Sequence, residues 1–302
     1  MKLLFSKLIL LLLPVITFAQ ADTAKISIFP RWQVNEVHHC SIAYHTTDVE
    51  GGVAKKYLTN FNVAITVLEK YPTGYLLDWR FTEINLAPGE PVFENLLTAP
   101  LKGQPLLIRV NEFGRFIEIK NSAEIREVAI KKAAELAEKS RSPETRAVFQ
   151  RLKIGLETPL GVETIIAKPV KFFLLINGFD YTPGKVVQND IKMPNPVSPV
   201  LIEAVEKVWL SSVKDSLCTV ESTKKVDGKI LTAIIRDFLI KSNPAKGEGI
   251  MKQLGGKQME FSESTKHLFN LNNGSLLQAT ITRTSNLGIN NRKIVMQLKV
   301  TD

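Results

Sequence analysis

The chain has 302 residues, 44% of them hydrophobic and 23% charged, with a formal net charge of +9. That length holds one large domain or two ordinary ones with a proper core, and near-average aliphatic and charged content excludes wholesale disorder. The positive charge is scattered in pairs such as Lys55-Lys56, Lys131-Lys132 and Lys224-Lys225 with acids between them, so nucleic acid, which needs a concentrated basic patch or module, is not an expected partner.

At the N-terminus Lys2 and Lys7 lead into an apolar run from Leu8 to Ile16 and then Thr17-Phe18-Ala19-Gln20-Ala21. Charged, apolar and small residues in that order make a secretory signal peptide. The run is far shorter than the roughly 20 residues a membrane-spanning helix needs. Cleavage is expected after Ala19, with Ala21 as the alternative, since Ala19 and Ala21 form an A-x-A site. No Cys follows to take a lipid anchor. No later segment is apolar for long enough to span a bilayer, and the chain does not end in the aromatic residue common in outer-membrane barrels. The expectation is a signal peptide over 1–19 and a single α+β domain over 20–302, with a sub-division near 193–200 as the alternative. The exported form, carrying about +7 once Lys2 and Lys7 are removed, would work in the periplasm or outside the cell.

Alternation predicts strands from Trp32 to about His45 and from Tyr57 to Glu69, and Tyr71-Pro72-Thr73-Gly74 then turns the chain into a strand over Tyr75 to Leu86. A second hairpin joins Leu106–Val110 to Arg115–Ile119 around Glu112-Phe113-Gly114. The period then moves to near 3.6: Ile125, Val128, Ala129, Leu136 and Ala137 share a stripe, predicting a helix over about 122–140 with Asn121 and Glu124 as a capping box. Pro143 and Pro159 sit where helices begin, with Val148, Leu152 and Gly155 as the inner face of the first. Val170 to Phe179 is nearly all apolar, and as helix or strand it must present apolar groups in more than one direction.

After Met193-Pro194-Asn195-Pro196-Val197-Ser198-Pro199, strands are expected over Leu201–Val213 and Ser216–Lys224, although Ile202, Val205, Val208 and Trp209 also fit a helix. Ile230, Leu231, Ile234, Ile235, Phe238 and Leu239 mark a helix that Asn243-Pro244 stops. Strands over Gln258–Asn270, Ser275–Thr284 and Arg292–Thr301 close the chain, with Asn273-Gly274 a strong hairpin cue. There is no internal repeat. Strands, then helices, then mostly strands describe an antiparallel α+β fold rather than alternating βαβ units.

Chemistry-bearing motifs are absent or broken. His38, His39, Cys40 and His45 fall on a strand whose faces alternate, so His38 and Cys40 point away from His39 and His45, and only His267 is left to complete a ligand set. Gly178 to Lys185 is one residue too long for a phosphate loop, with Val186 where Ser or Thr belongs, and reads as a turn. Gly247-Glu248-Gly249 has Lys252 at the third glycine of a dinucleotide fingerprint. No G-x-S-x-G elbow or H-E-x-x-H helix occurs, and Glu83, Glu94 and Asp180 are not distinguished from other acids. No catalytic residue, metal or cofactor is therefore assigned. Cys40 and Cys218, once exported, either pair as a disulfide or remain buried thiols.

The Phe18-Ala19-Gln20 ending and the hairpin running into a charged helix, Arg109 to Lys139, resemble the uncharacterised exported proteins of Bacteroidota. The order of elements also resembles the periplasmic lipoprotein-carrier family, which implies a curved antiparallel sheet packed against a central group of helices and an enclosed apolar ligand. Phe172, Phe173, Leu175 and Ile176 would then form a cavity wall. Fold alone does not give function. The expected function is an exported, non-catalytic protein that binds an apolar small molecule, a lipid or an envelope protein. The alternatives are an exported enzyme and a purely structural module.

Overall fold

The structure, a computed structural model, describes residues 25–90, 92–193, 201–242, 249, 258–286 and 290–301. The expected signal peptide with its cleavage point, residues 194–200, Asn243-Pro244, Gly247-Glu248 and the expected turn at Gly288-Ile289 lie outside the described residues.

In chain order the elements are β1 (Ile26–Ile28), β2 (Val37–Glu50), β3 (Val53–Tyr71), β4 (Gly74–Asn85), α1 (Phe93–Thr98), β5 (Pro105–Asn111), β6 (Phe116–Ile119), α2 (Ser122–Lys139), α3 (Pro143–Leu156), α4 (Pro159–Ile165), α5 (Lys168–Leu174), β7 (Phe179–Tyr181), β8 (Val186–Met193), β9 (Ile202–Lys214), β10 (Leu217–Val226), α6 (Gly228–Ser242), β11 (Glu260–Asn270), β12 (Ser275–Asn286) and β13 (Asn290–Val300). β1 pairs with β7. The other strands form one open antiparallel sheet in the order β6-β5-β4-β3-β2-β13-β12-β11-β10-β9-β8. The fold is thus α+β, and the pairing of β2 with β13 joins the early and late strands into one sheet.

Burial alternates along the strands, as period 2 requires when one face meets a core. On β3 the inward residues are Thr59, Phe61, Val63, Ile65 and Val67; on β4 they include Leu77, Trp79 and Phe81. These pack with Ile125, Ala129 and Ala133 of α2 and with Val170, Phe172 and Phe173 of α5 in one cluster. A smaller cluster gathers Met193, Ile202, Val226, Leu231, Ile235 and Met259 under α6. The Asn273-Gly274 hairpin forms with Gly274 at φ +69, and a Cβ there would sit 1.8 Å from the Phe29 carbonyl oxygen, so only glycine fits the turn.

Local chemistry departs from expectation in three places. Asn121 does not cap α2; its side-chain oxygen accepts from the Leu107 N–H at 3.0 Å and its amide donates to the Pro105 carbonyl at 2.9 Å, tying the helix start to β5. The inner face of α3 centres on Phe149 and Leu156, with Phe149 edge-on to Phe93 of α1, while Gly155 is exposed. The region from Gly178 to Lys185 is not turn alone, because Phe179–Tyr181 forms β7 before the chain turns into β8.

Candidate ligand-binding cleft

Seven adjacent strands, β3, β2, β13, β12, β11, β10 and β9, bring side chains of the inward face into rows. One row runs Ser222, Thr265, Ile281, Met296, Tyr44 and Thr59. Two residues along each strand, and so on the same face, the next row runs Glu206, Lys224, Glu263, Arg283, Ile294 and Thr46. The first row begins with a Ser222–Thr265 hydroxyl hydrogen bond of 2.8 Å and becomes apolar toward Met296. The second is charged with alternating sign over four strands.

Above these rows lie α4 and α5. Both start as helices should: the Thr158 hydroxyl accepts from the Gly161 N–H with Pro159 in the first turn, and Pro169 fills the first turn of α5. Between helices and sheet is a cavity of about 260 Å³. Phe172, Leu175, Ile281, Ile294 and Met296 give it apolar walls, and Tyr44, Glu163, Lys168, Lys171, Lys224, Glu263 and Arg283 give it polar ones.

The charges are paired. Glu263, 6% exposed, accepts from Arg283 Nε at 3.1 Å and Nη2 at 2.5 Å and from Lys224 Nζ at 3.3 Å. Burial alone would push its carboxyl up, but Arg283 and then Lys224 outweigh that and hold it below the usual carboxylate range. Lys171 meets Glu163 at 3.2 Å and Lys168 meets Glu94 of α1 at 2.6 Å. Burial likewise pushes Glu94 up, and the hydrogen-bonded Lys168 ammonium overrides it, leaving a net depression. Tyr44 is pushed up by burial and by Glu94, so its phenol stays protonated.

The residues marked out in the sequence divide. Phe172 and Leu175 wall the cavity. Phe173 and Ile176 do not: they are buried in the packed core, Phe173 edge-on to Trp79 with ring centroids 5.7 Å apart. Cys40 and Cys218 are both buried as thiols and form no disulfide. Cys40 lies on β2 and Cys218 on β10, with three strands between them in the sheet. Burial pushes the Cys218 thiol up to about 11. His38 lies 3.1 Å from Glu36, while His39 and His45 are exposed on the other face of β2. His267 is far away on β11, and among the described residues no three His, Cys, Asp or Glu side chains gather as a metal site would. Glu83 bonds Asn62 and Asn85, and Asp180 bonds Ser27; of the three named acids Glu94 alone reaches the cavity region.

The row Glu206, Lys224, Glu263 and Arg283 was not foreseen. Its trace in the sequence is that Glu263, Thr265, His267 and Phe269 share one parity on β11, so the polar residues take the inward positions.

No family model matches the chain, and no curated protein matches it. Among solved structures it is similar to a chain described as "Lipid-protein interactions in lipovitellin", at 9% identity and a TM-score of 0.39; the match covers 89% of this chain and 25% of that one. This chain therefore spans about a quarter of that protein's length, and a likeness so distant assigns neither family nor ligand.

Proposed function

We propose that the protein is an exported, non-catalytic binding protein of the periplasm or the extracellular space, and that it holds a single-chain amphipathic ligand in the cleft between α5 and the sheet. One observation carries this reading: the cavity has apolar walls from Phe172, Leu175, Ile281, Ile294 and Met296, bordered by Lys168, Lys171, Lys224 and Arg283. An apolar pocket with a few placed polar groups is the usual form of a small-molecule site. At about 260 Å³ it falls just below the roughly 300–1,000 Å³ of sites for drug-sized ligands. That suits one hydrocarbon chain and not the several chains of a lipoprotein anchor, so the cargo of lipoprotein carriers is not part of this proposal.

The reading includes a sheet curved around α5. Supporting it, the adjacent residues Phe172 and Phe173 touch His267 on β11 and Trp79 on β4. Those strands are five steps apart in the sheet, which is roughly 24 Å if the sheet were flat. Two neighbouring side chains of a seven-residue helix cannot bridge that, whereas a curved sheet brings both partners in. Register shifts between β3 and β4, β5 and β6, β9 and β10, and β11 and β12 supply bulges, which bend strands and increase twist.

Titration of the folded protein with a fluorescent fatty-acid analogue tests the function. Saturable binding at one site, lost on cooperative unfolding, is expected. Absence of binding with the melt intact removes the proposal and leaves a filled core.

A further inference from the structure

Behind the cleft, between α1 and the sheet, lies a second chamber of about 50 Å³. Tyr44, Lys168, Arg283 and Ile294 are walls of both spaces. Asn95 faces the inner chamber. It is 4% exposed, and its side-chain Nδ2 has no hydrogen-bond partner among the described residues. A buried amide N–H₂ without an acceptor is a costly arrangement that native structures avoid unless something else supplies the acceptor. The charged groups lining the chamber are two cations, Lys168 and Arg283, and one carboxylate, Glu94. Lys168 is paired with Glu94 and Arg283 with Glu263, so the amide of Asn95 is the group these pairings leave unanswered.

We infer that the inner chamber is the head-group subsite of the cleft and that it takes a monocarboxylate, with the hydrocarbon tail lying along Phe172, Leu175, Ile281 and Met296. This rests on the proposed function above. Asn95 Nδ2 donates to one carboxylate oxygen and the Lys168 ammonium, shared with Glu94, supplies the charge-assisted bond. The chamber's size favours a small head group: a carboxylate fits about 50 Å³, whereas a phosphodiester is bulkier and carries a second substituent.

Three probes of equal chain length separate the terms in the wild-type protein: dodecanoate, dodecanol and a lysophosphatidylcholine bearing the same acyl chain. Dodecanoate is expected to bind about tenfold or more tighter than dodecanol, the scale of one charge-assisted contact, and tighter than the lysolipid. Asn95→Leu is expected to remove most of that preference while dodecanol binding stays as in the wild type; Asn95→Asp, which keeps the shape but adds repulsion, should do the same if the leucine variant does not fold. Equal binding of dodecanoate and dodecanol would mean that the inner chamber holds only water and would overturn the subsite while leaving the cleft. Tighter binding of the lysolipid would overturn the carboxylate assignment. Binding of none of the three to folded protein would overturn the cleft itself.

Discussion

Phe172 of α5 sets its ring edge-on to the imidazole of His267 on β11, with ring centroids 4.9 Å apart and the planes at 64°. Phe269 stacks beside the same imidazole at 6.2 Å, and His267 is fully buried. Neither ring nitrogen has a hydrogen-bond partner of good geometry among the described residues. Burial pulls its pKa from 6.5 down to about 4, Lys224 adds to that, and the nearby Phe172 backbone only partly offsets it. Below pH 6.5 the unfolded chain therefore takes a proton that the folded chain refuses. The part of the stability that depends on His267 should fall as pH drops from 6.5 to about 4, by a total on the order of 3 kcal/mol. Protonation of Glu94 and Glu263 adds further loss as pH falls through the carboxylate range. Urea midpoints measured across this range should show the decline, and His267→Leu should make it shallower. A midpoint that does not move in the wild type contradicts the buried neutral imidazole.

Glu263 is the centre of the charged row, and removing its charge leaves Lys224 and Arg283 facing one another over the cleft floor. Glu263→Gln should cost about 3 kcal/mol, the lower end for breaking a buried pair because Arg283 is 37% exposed and partly solvated. Equilibrium denaturation checks this. A loss under about 1 kcal/mol would place the row among ordinary solvated ion pairs.

Phe173 tests the core rather than the cleft. Its contact with Trp79 and its burial make Phe173→Ala worth about 3–5 kcal/mol. Phe173→Asp should prevent stable folding, since the carboxylate would be buried without a partner. Circular dichroism and thermal melts of the two variants should rank them in that order, and a folded, wild-type-like aspartate variant would place Phe173 at the surface.

The two cysteines should resist alkylation at pH 8 in the folded protein, Cys218 through both burial and a thiol pushed up to about 11. In denaturant without reductant both should be labelled. Labelling of neither under those conditions would mean a disulfide and a different arrangement of β2 and β10.

The sequence reveals elements whose burial follows one period. The stripe through Ile125, Ala129 and Ala137 defines α2, and alternation around Asn273-Gly274 defines the β11–β12 hairpin. It hides elements that bury little. β8 is exposed along most of its length at the sheet edge, so it carries no alternation to read, and β1 and β7 are three residues each. Alternation also fades at the ends of β2 and β3, which run on to Glu50 and back from Val53 as an exposed hairpin around Gly51-Gly52. The apolar wall from Phe172 and Leu175 was legible because an unbroken apolar run cannot face one way. The cleft floor was not, since the meeting of Glu206, Lys224, Glu263 and Arg283 depends on the register of four strands drawn from separate parts of the chain.

Binding in the cleft is tested most directly by comparing the wild type with Leu175→Trp, which puts an indole into the cavity, in titrations with a fluorescent fatty-acid analogue followed by displacement with dodecanoate. The predicted result is one saturable site in the wild type, displaced by dodecanoate, and binding weakened at least about tenfold in Leu175→Trp with its cooperative melt retained. Equal binding by the two proteins, or no saturable binding by the folded wild type, would contradict a ligand held between α5 and the sheet.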